Sequence, residues 1–514
     1  MFFHLGYLPN GYLGVDVFFV ISGYLITGII YNQSLRNEFS ILNFYKKRIR
    51  RIIPLVTFSV IVSLIIGLLV MLPNDLENLA QSIIATNLFS NNIIQAITTK
   101  DYWNIINEYK PLMHTWSLAI EEQYYILYPF IFFGIKKSKY IILTISLFTI
   151  ISLVLFFMPF SEELKFYYLP FRFFELSFGG LLAIILNGKL FKSNYGFIFI
   201  MLLILIMTFD FGLSNDLLIL FTVILSCSIL VSENNLNKIS NLILQNKFFV
   251  FAGKISFSLY MWHQICYSYT RYFITNYFDF QTSSILLILV FLLSVFSYYW
   301  IEQPFRNKKI FSNKKAISII LFFTFLTTII SFVIYEKGGL IRDVPQLSLS
   351  LGKHNDPKVH EKYNDRNYLL NKDFESKDKI KVLVIGDSFS RDWINILIES
   401  DFSKRLEISY LELFLSANFN ENYLLTKRVK NADIIFVSRL DLKDIQKYMI
   451  PISKTYCIGD KNFGENNGIF YNSSNIDFCY KKTKPSKKVV LRNLELKSQW
   501  KKNAFIDLLD LIKD

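Results

Sequence analysis

Apolar runs of roughly 18 or more residues recur from Gly11 to Tyr335, each long enough to cross a bilayer as a helix. The pattern predicts about ten spans: Tyr12 to Tyr31, Ile52 to Leu72, Leu112 to Ile135, Tyr140 to Pro159, Phe166 to Leu186, Tyr195 to Phe211, Leu217 to Val231, Phe248 to Tyr269, Ser283 to Ile301 and Ala316 to Tyr335. Beyond Lys337 these runs give way to a polar chain rich in Lys, Asn and Asp. The fold expected is a polytopic α-helical membrane domain over 1–306, a linking span over 307–337, a linker over 338–378 and a soluble α/β domain over 379–514. No internal repeat is visible, which weakens solenoid and inverted-repeat transporter readings.

Charge orients these spans. Basic loops at Lys46 to Arg51, Lys136 to Lys139, Lys189 to Lys192, Lys238 to Lys247 and Arg306 to Lys315 all fall on one side, which the positive-inside rule makes cytoplasmic. The opposite loops, with Asp75, Glu77, Asp101, Glu108, Glu162, Glu163 and Asp216, are comparatively acidic. The last span then runs outward, placing the C-terminal domain on the periplasmic or extracellular side of a bacterial inner membrane.

Of 514 residues, 52% are hydrophobic and 17% aromatic, and the mean hydropathy is +0.34, more apolar and aromatic than an ordinary globular domain. The net charge of +14 does not imply nucleic acid, because its strongest cluster abuts an apolar span. The four cysteines show no zinc spacing, and no metal site is expected. Cys457 and Cys479 lie on the outer side of this topology, where a disulfide can persist. The start, Met1-Phe2-Phe3-His4, is not a signal peptide and reads as the last turn or two of a truncated first span.

Several ionisable residues sit where lipid penalises them. Asp16 lies inside the apolar run G-Y-L-G-V-D-V-F-F-V-I-S-G-Y-L-I-T, at a cost of about 2.5–3.5 kcal/mol unless paired, and is a functional candidate for that reason. His4 lies just upstream. W-S-L-A-I-E-E-Q-Y-Y brings Trp116, Glu121 and Glu122; adjacent helical residues diverge by about 100°, so at most one of the two glutamates faces a given cleft. G-K-I-S-F-S-L-Y-M-W-H adds Tyr260 and His263, and I-E-Q-P-F-R adds Glu302. Interfacial aromatic belts and structural ion pairs are the alternative reading of Trp116, Tyr124, Tyr125, Tyr260, Trp262 and these charges.

From His4 to about Arg306, these segments, with F-F-H-L-G at Phe2 to Gly6 and F-Y-K-K-R-I-R-R-I-I-P at Phe44 to Pro54, resemble the family-3 membrane acyltransferases. Members of that family include bacterial O-antigen and peptidoglycan O-acetyltransferases. The resemblance implies that His4 is the catalytic histidine, a general base whose ordinary pKa lies near working pH. It also implies an arginine about three helical turns upstream, ahead of the first residue. Lys46, Lys47, Arg48, Arg50 and Arg51 are placed to bind the phosphates of acetyl-CoA or another acyl-CoA donor, or equally to anchor the chain on anionic lipid. No permanently bound cofactor is expected.

Lys379 to Ile385 reads as a buried strand entering the turn Gly386-Asp387-Ser388, followed by a helix over Trp393 to Glu399. Set there, Ser388 resembles the first block of SGNH hydrolases, a domain often fused behind family-3 acyltransferases, with a plain α/β turn as the alternative. A further strand is expected at Ala432 to Val437. That family's oxyanion asparagine is not recognisable, and no histidine follows His360, so the domain is expected to be incomplete. Neither His354 nor His360, in the linker, is assigned as a base. The function expected is an O-acyltransferase acting on a cell-envelope glycan, with Asp16 and Glu121 or Glu122 orienting His4. A lipid-linked sugar flippase and an inactive family member are the alternatives.

Overall fold

The structure, a computed structural model, describes residues 1–71, 73–98, 107–134, 138–186, 195–232, 245–274, 278–339, 366–412, 423–438, 450–459, 487–500 and 504–506. They divide into two compact units, Met1–Leu340 and Ile341–Asp514.

The first unit is helical. A 3-10 turn at Phe3–Leu5 precedes α1 (Gly14–Leu35), α2 (Ile41–Val70), α3 (Pro73–Asn87), α4 (Asn91–Thr98), α5 (Thr115–Leu127) and α6 (Pro129–Gly134). Then follow α7 (Ser138–Phe157), α8 (Glu162–Tyr167), α9 (Leu169–Leu186), α10 (Gly196–Thr208) and α11 (Asn215–Ser232). The unit closes with α12 (Lys247–Lys254), α13 (Ser256–Phe273), α14 (Phe280–Ser297), α15 (Gln303–Arg306) and α16 (Asn313–Glu336). All the predicted spans fall on helix. Among the described residues seven helical segments are long and apolar enough to cross a membrane: Gly11–Leu35, Ile41–Val70, Lys139–Phe157, Leu169–Leu186, Asn215–Ser232, Phe280–Arg306 and Asn313–Glu336.

The remaining predicted spans differ for local reasons. The segment Leu112 to Ile135 breaks between α5 and α6, where Pro129 opens a new helix because its ring cannot donate to the preceding turn. Phe248 to Tyr269 breaks at Ile255, and the helix beyond the break, α13, carries His263, Gln264 and Arg271. Helix α10 has only 13 residues. The basic run read as a loop is helical, because Ser40 caps α2 by accepting the Asn43 N–H at 3.4 Å and Lys and Arg extend a helix readily.

Helices α1 and α9 pack along each other at backbone contact. A Cβ on Gly23 would lie 1.8 Å from the Leu176 carbonyl oxygen, and one on Gly179 would lie 2.0 Å from that of Val20. Small residues at such crossings let backbones meet where no hydrophobic drive distinguishes protein from lipid.

Among the described residues, the second unit holds a parallel five-stranded sheet in the order β2-β1-β3-β4-β5. Its strands are β1 (Ile380–Gly386), β2 (Leu406–Glu412), β3 (Ile434–Ser438), β4 (Thr455–Ile458) and β5 (Phe505–Ile506), with helices α17 (Ser388–Glu399), α18 (Tyr423–Asn431) and α19 (Lys487–Gln499). Leu383, Ile385, Ile435 and Val437 pack with Leu496 and Trp500, while Val382 and Val384 pack with Ile394 and Tyr410. Burial on both faces is why β1 and β3 read as continuous apolar runs. Strand order reverses between β1 and β3, the switch point of a doubly wound sheet. Burial pushes the Cys457 thiol on β4 up to about 12; Cys479 lies outside the described residues.

Gly23→Val and Gly179→Val should each destabilise the unit by on the order of 1–3 kcal/mol, since neither backbone can yield without parting the helices. Gly253→Ala, with nothing within 4 Å of the new methyl, should melt like the parent in detergent.

Candidate active site

The turn Phe3–Leu5 ends at Gly6, whose φ of 80° turns the chain out of the helix. Arg271 on α13 fixes this turn: its Nη2 donates to the His4 carbonyl at 2.6 Å, and its Nε pairs with Glu108 at 3.1 Å. The His4 ring then lies 5.5 Å from that of His263, centroid to centroid, and His263 lies 5.4 Å from His114. Three imidazoles, from the N-terminal turn, the start of α5 and the middle of α13, thus form one cluster. His263 Nδ1 donates to the Tyr260 carbonyl at 2.6 Å; a carbonyl only accepts, so Nε2 is left as the ring's acceptor. The Tyr260 hydroxyl donates to the His114 carbonyl and lies 2.8 Å from Ser117 Oγ.

These groups line a cavity of about 290 Å³ that reaches from His4, His114 and His263 past Tyr260 and Ser117 to Glu121. His114, Ser117, Glu121 and Tyr125 follow at intervals of three and four and so occupy one stripe of α5. Glu121 accepts hydrogen bonds from Ser22 on α1 and from the Tyr125 hydroxyl. Glu122 points elsewhere and is buried, with its Oε1 lacking a hydrogen bond. At the far end of the stripe, the Arg48 guanidinium lies 5.6 Å from the Tyr125 ring centroid.

Asp16 does not line this cavity. Its Oδ1 pairs with Arg172 Nη2 at 2.8 Å, and Arg172 Nη1 pairs with Glu175 Oε1 at 2.9 Å, all three side chains being no more than 1% exposed. The guanidinium stands 5.4 Å from the Phe166 ring and 6.0 Å from that of Trp116, which packs on Phe166 at 4.5 Å. Trp116, Tyr124, Tyr125 and Trp262 are buried within the unit, unlike residues of an exposed aromatic belt.

Of the basic run, Lys46, Lys47, Arg48 and Arg50 line a separate cleft of about 570 Å³ together with Lys308. Arg50 is committed elsewhere: it donates to Asn313 Oδ1 at 2.9 Å and to the Phe311 carbonyl at 2.7 Å, latching α2 to the start of α16. Arg51 is exposed and outside the lining. Glu302 ends a π-helical turn, Tyr298–Glu302, where it accepts from Ser258 and pairs with Arg306 at 2.5 Å, tying α13 to the end of α14 away from the histidines.

In the second unit Ser388 is the first residue of α17, directly beyond β1; its side chain lies outside the described residues. Beside it Gly386 has a φ of 143°, and a Cβ there would lie 2.3 Å from Ser438 Oγ and 2.5 Å from Ser390 Oγ. Ser438 donates to Asp387 Oδ1 at 3.0 Å, and Ser390 donates to Ser438 at 2.9 Å. His354 and His360 are also outside the described residues. Among the described residues no group of His, Cys, Asp or Glu is placed to hold a metal.

Sequence reasoning missed His114, Arg172 and Glu175. His114 was signalled only by its polarity three residues ahead of Ser117. Arg172 and Glu175 were signalled by two opposite charges at helical spacing inside an apolar run, the argument that had singled out Asp16.

A family model described as "Acyltransferase domain" matches residues 1–336. The chain is 30% identical to the O-acetyltransferase OatA of Staphylococcus aureus (strain NCTC 8325 / PS 47) over 334 residues, 60% of this chain and 55% of that protein. It is also 37% identical to a Haemophilus influenzae protein over 189 residues, 34% of this chain and 75% of that one. A match at 27% identity over 439 residues, to SAR0937 of Staphylococcus aureus (strain MRSA252), covers 76% of this chain and 71% of that protein. The chain spans about half the length of the OatA relatives it matches. No solved structure matches.

Arg172→Met should cost about 3–5 kcal/mol, because Asp16 and Glu175 are then buried without a counter-charge. Removing all three charges together, as Asp16→Asn with Glu175→Gln and Arg172→Met, should recover much of that loss in a detergent melt.

Proposed function

Because the chain belongs to the acyltransferase domain family and is a multi-pass membrane acyltransferase, we propose that it transfers an acetyl group from acetyl-CoA to a hydroxyl of a cell-envelope glycan. The observation that carries this reading is the histidine cavity joined, along one stripe of α5, to Arg48 of the basic cleft. A neutral imidazole at His4 takes the proton of the acceptor hydroxyl as its oxygen attacks the thioester carbonyl. The carbon–oxygen bond forms, the carbon–sulfur bond breaks, and the thiolate leaves to be protonated as CoA. The His263 ring lies 5.5 Å from that of His4, with His114 beyond it, and Glu121 is a further polar group lining the same cavity.

The basic cleft suits the CoA phosphates through Lys46, Lys47 and Arg48. We assign that cleft to the cytoplasmic side of a bacterial inner membrane and the second unit to the periplasmic or extracellular side, a reading the pattern of basic loops supports. In that unit we assign an SGNH-like role to Ser388 in a second transfer outside the membrane: its Oγ forms an ester as the ester first made in the membrane unit breaks and releases that first acceptor's hydroxyl, and the glycan hydroxyl then displaces Oγ, which regains its proton. Its place at the helix start beyond β1, at the switch point of the sheet, supports this.

Membranes containing the chain or its His4→Ala variant, incubated with radiolabelled acetyl-CoA, should differ by about 100-fold or more in base-labile label on envelope polysaccharide. Undiminished labelling by His4→Ala would overturn the assignment of the base. Movement of a lipid-linked sugar with no ester formed would favour a flippase. The pair Lys46→Ala and Lys47→Ala should raise the KM for acetyl-CoA by about 10-fold and leave the KM for acceptor unchanged.

A further inference from the structure

A second cavity adjoins the histidine cavity. It is an open cleft of about 280 Å³ where Tyr12 ahead of α1, the end of α7, the short helix α8 and the starts of α9 and α11 converge. Tyr12, Phe166 and Arg172 line both cavities, so the two share a wall. Resting on the acyl-transfer reading above, we propose that this cleft is the acceptor subsite and that it takes one uncharged or amino-bearing sugar ring.

Charge separates this cleft from the donor's. Glu162, Glu163 and Asp216 stand here against Lys165, the charge of Arg172 in the shared wall being matched by Asp16 and Glu175, whereas the other cleft gathers Lys46, Lys47, Arg48 and Lys308 around Glu38. A polyphosphate is attracted to the basic cleft and repelled from the acidic one. A neutral polyol is repelled by neither, and finds here the carboxylate and amide acceptors its hydroxyl groups need.

Shape and rigidity agree with a small cyclic ligand. The volume, about 280 Å³, lies just below the lower end of the range for small-molecule sites, about 300 Å³, which suits a single ring better than an extended chain. Phe156, Phe166 and Tyr167 supply apolar wall for the carbon–hydrogen faces of a sugar. Lys165, 9% exposed, is held by Asp216 at 2.9 Å and lies 5.8 Å from the Phe156 ring. The Tyr12 hydroxyl donates to Asn215 Oδ1 at 3.0 Å, tying the entry of α1 to α11 across the cleft. The site is therefore largely formed before a ligand arrives, with less ordering left to oppose binding.

Full-length protein in detergent should bind radiolabelled chitotriose, an N-acetylglucosamine trimer, in equilibrium dialysis. Asn215→Ala and Glu163→Gln should each weaken that binding by about 10-fold or more, with the thermal melt and acetyl-CoA binding unchanged. Asn215→Ala also removes the Tyr12 tie, so Glu163→Gln, which leaves that tie in place, guards against a folding artefact. Unaltered chitotriose binding in both variants, or no chitotriose binding by a parent protein that still makes His4-dependent ester, overturns the subsite and leaves the acyl-transfer reading standing. Variant-sensitive chitotriose binding by a protein that makes no ester supports the subsite and sinks that reading.

Discussion

The guanidinium of Arg172 is the constraint on which the membrane unit depends. A cation only 1% exposed in an apolar bundle persists because Asp16 on α1 and Glu175 on its own helix hold its two arms. The pairing with Asp16 requires α1 and α9 to lie close together, and Gly23 and Gly179 let their backbones meet. The same side chain forms part of the wall against which Phe166 and Trp116 pack. Both cavities beside that wall therefore inherit their shape from one buried ion cluster.

Around this fixed wall the polar groups are arranged by role. Imidazoles and a tyrosine gather at one end of the cavity, Glu121 stands at its other end, and Arg48 follows beyond Tyr125. Ser117, Glu121 and Tyr125 on α5 are each about one turn from the next, so a single face of that helix carries these groups along the cavity. Other charges serve the scaffold. Arg50 latches α2 to the start of α16, Glu302 ties α13 to the end of α14, and Arg271 holds the turn that carries His4.

Much of this was legible in the chain. The apolar runs located the helices, and the cost of a charge in lipid singled out Asp16. The angular divergence of adjacent helical residues required that only one of Glu121 and Glu122 face the cavity, and it is Glu121 that does. What was not legible depends on contacts between distant segments. Asp16 reads as a partner for the nearby His4, yet its partner is Arg172, since periodicity within one helix says nothing about which helix packs against it. The basic run reads as a loop because charge dominates it, although the Ser40 cap and the helix propensity of Lys and Arg carry α2 through it. In the second unit β1 and β3 were visible as continuous apolar runs, whereas β2, at the sheet edge with the sequence L-E-I-S-Y-L-E, resembles an ordinary polar stretch.

The central claim is that donor and acceptor approach from opposite faces of one membrane unit. Reconstitution into vesicles with a fixed orientation, with acetyl-CoA supplied on one side and an acceptor oligosaccharide enclosed on the other, tests it most directly. The account predicts ester on the acceptor only when acetyl-CoA is on the side of the basic cleft and the acceptor is opposite. Equal ester formation with both substrates confined to one side would contradict it.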